Sequence, residues 1–274
     1  MWHEFIITAP DALREPITAI LFDLGCEGVY EDGGLLRAYF PDTAPLGDVS
    51  DALVHLEGVT FEQSELAEQD WYAPWKEKFS LFEVEGLTVC PPWREHMPQA
   101  GEKLILLDPG QAFGAGEHVT TRTVIKMIRG WVDAQHGLEG KRFLDLGAGT
   151  GILAIAGYMY GLRDVTAVDV EIRAVETTAR NLSLNGLVGK IKLMPGSIME
   201  AGKGYDLIAA NIFLEVLVEL MPDIAAALNP AGSLILSGFM VDQKEQVVTA
   251  ASRAGLVLDD IISDGRWVSA TFLK

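Results

Sequence analysis

Residues 143–157, from Phe143 to Gly157, read FLDLGAGTGILAIAG. The opening residues have the apolar run of a buried strand, and a segment of helical character begins at Ile152. Gly147, Gly149 and Gly151 lie at the junction, where glycine lets the backbone turn sharply and approach a ligand with no Cβ in the way. Asp169 ends the next strand-like run, 18 residues beyond Gly151, where a carboxylate can accept both hydroxyls of a ribose. The spacing is GxGxG. Ile152 stands where a dinucleotide-binding turn carries its third glycine, and no Gly-Lys-Ser/Thr follows to receive a triphosphate. Asp145, ahead of the glycines, can orient backbone amides of the turn or meet the ammonium group of a ligand. A tight strand-to-helix turn in a fold that binds nothing is the competing reading.

Working outward from this turn, strands and helices alternate. TTRTVIKMIRGWV predicts a helix before it and ILAIAGYMYG one after it, then DVTAVDV a buried strand and EIRAVETTARNLSLNG a helix closed by Gly186. KIKLMPG, YDLIAANI and GSLILSGF are strand-like. LEVLVELMPDIAAALNPAG predicts a long helix stopped by Pro230-Ala-Gly232, and DQKEQVVTAASRAG a final helix. LVLDDIISDG and RWVSATFLK form a closing hairpin. Apolar strands separated by helices predict a mainly parallel sheet covered on both faces, and the hairpin makes it a seven-stranded mixed sheet.

The first 70 residues follow a different rhythm. WHEFIITA is strand-like, Asp11 opens a helical segment that Gly25 can end, and Pro16 suits that helix only within its first turn. GVYEDGGLLRAYF carries a hairpin signal at Asp32-Gly33-Gly34, DVSDALVHLEG a short helix and VTFEQSELA a closing strand. The order β-α-β-β-α-β predicts a small α+β, ferredoxin-like domain over residues 1–70. Residues 71–100 read as a linker, in which Trp71, Tyr72 and Trp75 either pack against the domains or meet a partner, and residues 101–274 form the α/β domain. LTVCPPWRE and KLILLDPG, near the join, have strand character.

A chain of 274 residues with 49% apolar and 22% charged side chains suits a compact protein of one large or two smaller domains. Cys26 and Cys90 lack metal-ligand or disulfide-framework spacing and read as reduced thiols, and the five histidines form no zinc motif, so no metal is expected. The N-terminal segment has neither the basic nor the apolar run of a secretory leader, and no apolar stretch reaches the roughly 18 residues of a membrane span. A cytoplasmic protein is the expectation. Net charge is −18 and unevenly spread. Residues 1–90 hold 18 acidic against 4 basic side chains, a net of −14, leaving a net of −4 for residues 91–274. Such a surface repels phosphate backbones, so nucleic-acid binding is not expected; it either steers a basic partner or simply keeps the protein solvated.

The segment Asp108 to Arg122, DPGQAFGAGEHVTTR, sharpens the assignment. With FLDLGAGTGILAIAG, the YDLIAANI and LILSG strands and the terminal GRWVSATFLK, it resembles the ribosomal protein L11 methyltransferase family over residues 70–274. The resemblance implies a seven-stranded Rossmann-like methyltransferase domain, a small N-terminal recognition domain, S-adenosyl-L-methionine as cofactor and ribosomal protein L11 as partner of a monomeric enzyme. It implies methyl transfer to lysine side chains and the N-terminal α-amine. By position it places Phe113 and Gly114 near the sulfonium and the amine, Thr120 beside the methionine part, Gly147, Gly149 and Gly151 in the cofactor turn, and Asp169 on the ribose. Ser197 falls on the adenine side and Asn211 at the reaction centre. The pattern departs at Ala115, where the family usually has threonine, and the N-terminal domain matches more weakly.

Each residue has a plainer reading. Phe113 can pack the loop, His118 can start a helix, Thr120 can cap it, and Asn211 can be a turn residue, although an amide just past an apolar strand sits at the ligand-binding edge of an open α/β sheet. A lysine methyltransferase acting on another protein and a non-enzymatic acidic interaction module remain the alternatives.

Overall fold

A computed structural model describes residues 2–26, 28–32, 35–56, 58–66, 80–109 and 118–274. The chain divides into two compact units, Met1–Lys78 and Phe79–Lys274. Trp71, Tyr72, Trp75, Gly33, Gly34 and the stretch 110–117, with Phe113, Gly114 and Ala115, lie outside the described residues.

The smaller unit runs β1 (Trp2–Thr8), α1 (Asp11–Asp23), β2 (Gly28–Asp32), β3 (Leu35–Pro41), α2 (Leu46–Val54) and β4 (Thr60–Leu66). Its antiparallel sheet has the order β2-β3-β1-β4, the ferredoxin-like arrangement in which β1 and β3 are central. Alternation along β1 and β3 turns Phe5, Ile7, Leu36, Ala38 and Phe40 to one face, where they pack with Ile17, Leu21, Val49 and Leu53 of the helices. On the opposite face Glu4 accepts from Arg37 Nη1 (2.8 Å) and the Tyr39 hydroxyl (2.9 Å). Pro16 lies past the first turn of α1, deeper than the sequence suggests. Fully buried Ile17 and Leu21 just beyond it supply the packing that keeps the helix continuous despite the missing N–H.

The larger unit opens with a small sheet of β5 (Phe82–Val84), β6 (Leu87–Cys90) and β7 (Lys103–Leu106), so part of the span read as linker contributes strands here. There follow α3 (Val119–Asp133), β8 (Arg142–Leu146), α4 (Ile152–Met159), β9 (Asp164–Asp169), α5 (Ile172–Leu184), β10 (Ile191–Pro195), α6 (Ile198–Ala201) and β11 (Tyr205–Asn211). The unit ends with α7 (Leu214–Ala227), β12 (Leu228–Met240), α8 (Lys244–Arg253), β13 (Val257–Asp264) and β14 (Trp267–Leu273). The seven-stranded sheet has the order β10-β9-β8-β11-β12-β14-β13, and β14 alone runs opposite to the other six strands. The chain moves outward from β8 to β10 and returns to β11 beside β8. The carboxyl ends of β8 and β11 therefore flank a topological switch point, where open α/β sheets bind ligands. One apolar layer packs α3, α4 and the small sheet on one face; the other packs α7 and α8 on the opposite face. No described helix is long and apolar enough to cross a membrane.

The helix predicted to reach Pro230 stops at Ala227. Leu228 is buried and pairs with Tyr205 of β11, so sheet pairing takes the chain before the proline does, and Ala231 adopts a left-handed φ of 61° within the bend.

Gly157, inside α4, lies against Phe143 of β8: a Cβ there would sit 2.6 Å from a carbon of this fully buried ring. Glycine to alanine in a helix interior ordinarily stabilises by about 1 kcal/mol. Here Gly157→Ala is expected to destabilise by about 1–3 kcal/mol through overpacking, read as a lower urea midpoint with unchanged m-value.

Candidate functional site

The turn between β8 and α4 is built from left-handed residues, with φ of 75° at Gly147, 56° at Gly149 and 79° at Gly151. A Cβ on Gly147 would collide with the Ile212 side chain, and one on Gly151 would sit 2.8 Å from a Thr178 methyl. Buried neighbours take up the polar groups of this irregular backbone. Asp169 Oδ2 accepts from Gly149 N–H (2.9 Å), Asp145 Oδ2 accepts from Ala154 N–H (2.9 Å), Thr178 donates to Gly149 C=O (2.9 Å), and Asn181 Nδ2 donates to Thr150 C=O (2.9 Å). The N–H groups of Gly147 and Ala148 return to the Val168 carbonyl of β9.

A cavity of about 340 Å³ opens at this edge of the sheet, in the range of small-molecule sites. Gly147, Gly149, Asp169, Ser197, Thr120 and Asn211 all line it. Gly151 does not; it precedes α4 as the helix N-cap residue. Along one end of the cavity, Val170 is 70% exposed after β9, and Glu200 accepts from the Ser197 N–H (2.8 Å), which holds the Glu200 carboxyl below its usual range and fixes the Gly196-Ser197 bend. At the other end, Asn211 Nδ2 donates to the hydroxyls of Thr120 (3.2 Å) and Thr121 (3.3 Å). Its Oδ1 is buried and has no partner among the described residues. Phe213, 73% exposed, and Val216 form an apolar rim beside it.

His118, rather than Thr120, caps α3: its Nδ1 accepts from the Thr120 N–H (3.4 Å) and lies 2.7 Å from the Thr120 hydroxyl. Trp267, Gly238 and His118 also line the cavity, and the Trp267 and His118 rings meet edge to face at 5.1 Å. The sequence reading assigns no site role to Trp267. Its signal lay in the closing hairpin: because β14 is antiparallel, it enters the sheet from the edge at which the parallel strands end.

Comparison with solved structures places the crystal structure of a ribosomal protein L11 methylase from Lactobacillus delbrueckii subsp. bulgaricus on this fold, with a TM-score of 0.63 and 28% identity over 71% of this chain and 97% of that one. The sheet order, glycine turn and terminal strand aspartate, together with this likeness, define an S-adenosylmethionine-dependent methyltransferase. The ribosomal protein L11 methyltransferase of Trichlorobacter lovleyi is 31% identical over 97% of this chain and 96% of its own length, and that of Streptococcus agalactiae serotype Ia is 28% identical over 100% and 96%. The family model for ribosomal protein L11 methyltransferase (PrmA) matches residues 30–274, and the chain belongs to this family.

The cavity suits that cofactor on its own terms. Gly147 and Gly149 line it without a Cβ, Asp169 brings a carboxylate to its wall, and exposed Val170 adds apolar surface.

Asp145 lies beneath this arrangement, fully buried, and is not in the cavity wall. Burial pushes its carboxyl up to about 8, the negative Asp169 adds to the effect, and the bond from Ala154 N–H opposes it. The folded protein thus retains a proton that the unfolded chain loses near pH 4. Stability from this group is complete below about pH 4 and is lost as pH rises toward 8. Asp145→Asn, which keeps an acceptor for Ala154 N–H, is expected to melt at a temperature that falls less than that of the natural protein between pH 5 and pH 8. Identical slopes in the two would contradict a raised Asp145.

Proposed function

We propose that the chain transfers methyl groups from S-adenosyl-L-methionine to amino groups of ribosomal protein L11, the lysine side chains and the N-terminal α-amine, with residues 1–70 recognising the acceptor. The observation that carries this reading is the buried, unpartnered Oδ1 of Asn211 beside an apolar rim. An orphaned acceptor of this kind costs about 1–3 kcal/mol, and an entering N–H donor repays it.

When bound, the cofactor supplies a methyl group already activated by a sulfonium leaving group. The protein then has to prepare and aim the amine. A lysine of pKa near 10.4 has on the order of one neutral molecule per thousand at pH 7.4, a cost of about 4 kcal/mol. Phe213, Val216 and Ile212 surround the approach with apolar surface, which disfavours the ammonium and lowers that cost. Asn211 Oδ1 accepts one amine N–H and turns the lone pair toward the reacting carbon, while the Thr120 and Thr121 hydroxyls fix the amide plane. His118 Nδ1 is engaged by Thr120, so the departing proton goes to water in this reading. Gly147 and Gly149 admit the cofactor backbone closely and Asp169 takes the ribose. Gly151 shapes the turn, Ser197 borders the base, and Phe113 is assigned to the sulfonium end of the site.

The charge distribution supports a macromolecular, basic acceptor. The net of −14 in residues 1–90 steers such a partner at long range and should make association weaken with salt.

Incubating the protein with labelled cofactor and purified ribosomal protein L11, then mapping added mass, tests the acceptor: methylated lysines and α-amine are expected, and an unmodified L11 beside a competent cofactor site would refute it. Gly149→Leu is expected to abolish cofactor binding by calorimetry, because the residue occupies a left-handed position in the turn. Asn211→Ala should leave cofactor Kd within about threefold and reduce kcat by about 10²-fold, the scale of losing a hydrogen bond that aims a reacting group. An equal loss of cofactor affinity in both variants would contradict the separated roles.

A further inference from the structure

Helix α5 and its C-cap carry two asparagines, Asn181 and the half-buried Asn185, that do not line the cavity. Asn181, fully buried, accepts from the Asp108 N–H (2.8 Å) and donates to the Asp108 carbonyl (2.9 Å) as well as to Thr150 C=O in the glycine turn (2.9 Å). One turn further along, Asn185 does the same to Leu106, accepting from its N–H (2.9 Å) and donating to its carbonyl (2.7 Å). The spacings match. Residues i and i+4 of a helix rise about 6 Å, and residues i and i+2 of a strand about 6.6 Å, so two asparagine amides can pair with alternate residues of an extended chain as a neighbouring strand would. The helix face thereby substitutes for the missing partner strand beyond β7.

The two asparagines differ in one respect. Among the described residues Asn185 bonds to Leu106 and to its own helix, through the Asn181 carbonyl (2.7 Å), whereas Asn181 joins Asp108 to the turn at Thr150. Asp108 is the last step before Pro109 and the stretch that leads to His118 and Thr120, which line the same cavity, where Thr120 meets His118 and accepts from Asn211. The Asn181 amide thus ties the chain that continues toward Thr120 to the turn that borders the cofactor. Gly149 in that turn has anchors of its own, since Asp169 accepts from its N–H and Thr178 donates to its carbonyl.

We propose that Asn181 is a positioning residue for methyl transfer: it locks the backbone at Asp108 to the glycine turn at Thr150, so that acceptor-side and cofactor-side elements hold one register. This rests on the methyltransferase reading of the same cavity, and its effect belongs to turnover rather than to cofactor affinity. Asn185 has a purely structural part and serves as the matched control.

Amide hydrogen exchange and steady-state kinetics on full-length Asn181→Ala, Asn181→Asp and Asn185→Ala test it. In the natural protein, S-adenosylmethionine should slow exchange at Gly149, Gly151, Leu107 and Asp108 together. In either Asn181 variant it should slow the turn and leave Leu107 and Asp108 unprotected, with cofactor Kd within about threefold and kcat on L11 at least tenfold lower. Asn185→Ala should keep kcat within about threefold. Asn181→Asp retains the acceptor and loses both donors, so its kcat relative to the natural protein should recover as pH falls and the carboxyl regains an O–H; it also carries the test if the alanine variant fails to fold. Continued cofactor-dependent protection of Asp108 in folded Asn181 variants, or equal loss of kcat in the Asn181 and Asn185 variants, would overturn the proposal. The exchange readout needs no acceptor, so a protein that binds cofactor without methylating L11 sinks only the choice of substrate.

Discussion

Four buried side chains from neighbouring elements satisfy the backbone of the glycine turn and of the first helical turn that follows it. Left-handed conformations at Gly147, Gly149 and Gly151 remove that stretch from helix and strand pairing, and unpaired buried amides and carbonyls cost free energy comparable to lost hydrogen bonds. Asp169, Asp145, Thr178 and Asn181 meet that requirement, drawing on β8, β9 and α5. The cavity depends on this arrangement because the open glycine backbone is what a cofactor can approach. The same constraint bears on the two neighbouring carboxylates: Asp169, at the cavity wall, and Asp145, fully buried beneath it, each accept a backbone N–H, and burial keeps the proton on Asp145.

Much of the fold was legible because its physics is local. Apolar strands flanked by amphipathic helices announced the parallel sheet, and the βαββαβ order of the first domain followed from alternation and turn signals alone. The misjudged details are those in which tertiary packing outweighed a local breaker. Pro16 sits within α1 because the buried face of that helix continues past it. The chain leaves α7 before Pro230 because Leu228 already pairs with β11.

The candidate site divides along the same line. Gly147, Gly149, Asp169 and Asn211 could be read from sequence because they sit at strand ends, where position in a motif determines position in space. Asn181 and Asn185 could not. Side-chain amides pairing with a strand more than 70 residues away leave no periodic trace, and polar residues inside an amphipathic helix look like solvent-facing ones until the sheet is assembled. The Thr120 hydroxyl was expected as a possible cap, yet it is spent between His118 and Asn211, a three-residue chain visible only in three dimensions.

The placement of β14 between β12 and β13 has a consequence for how the sheet is completed. Among the described residues β13 precedes in the chain the one strand it pairs with, and β12 likewise has its outer edge closed by that later strand. The strand that closes that gap is also the one carrying Trp267 to the cavity wall. Completion of the sheet and completion of the cavity wall at Trp267 are therefore one event, which falls to the strand that comes last in chain order.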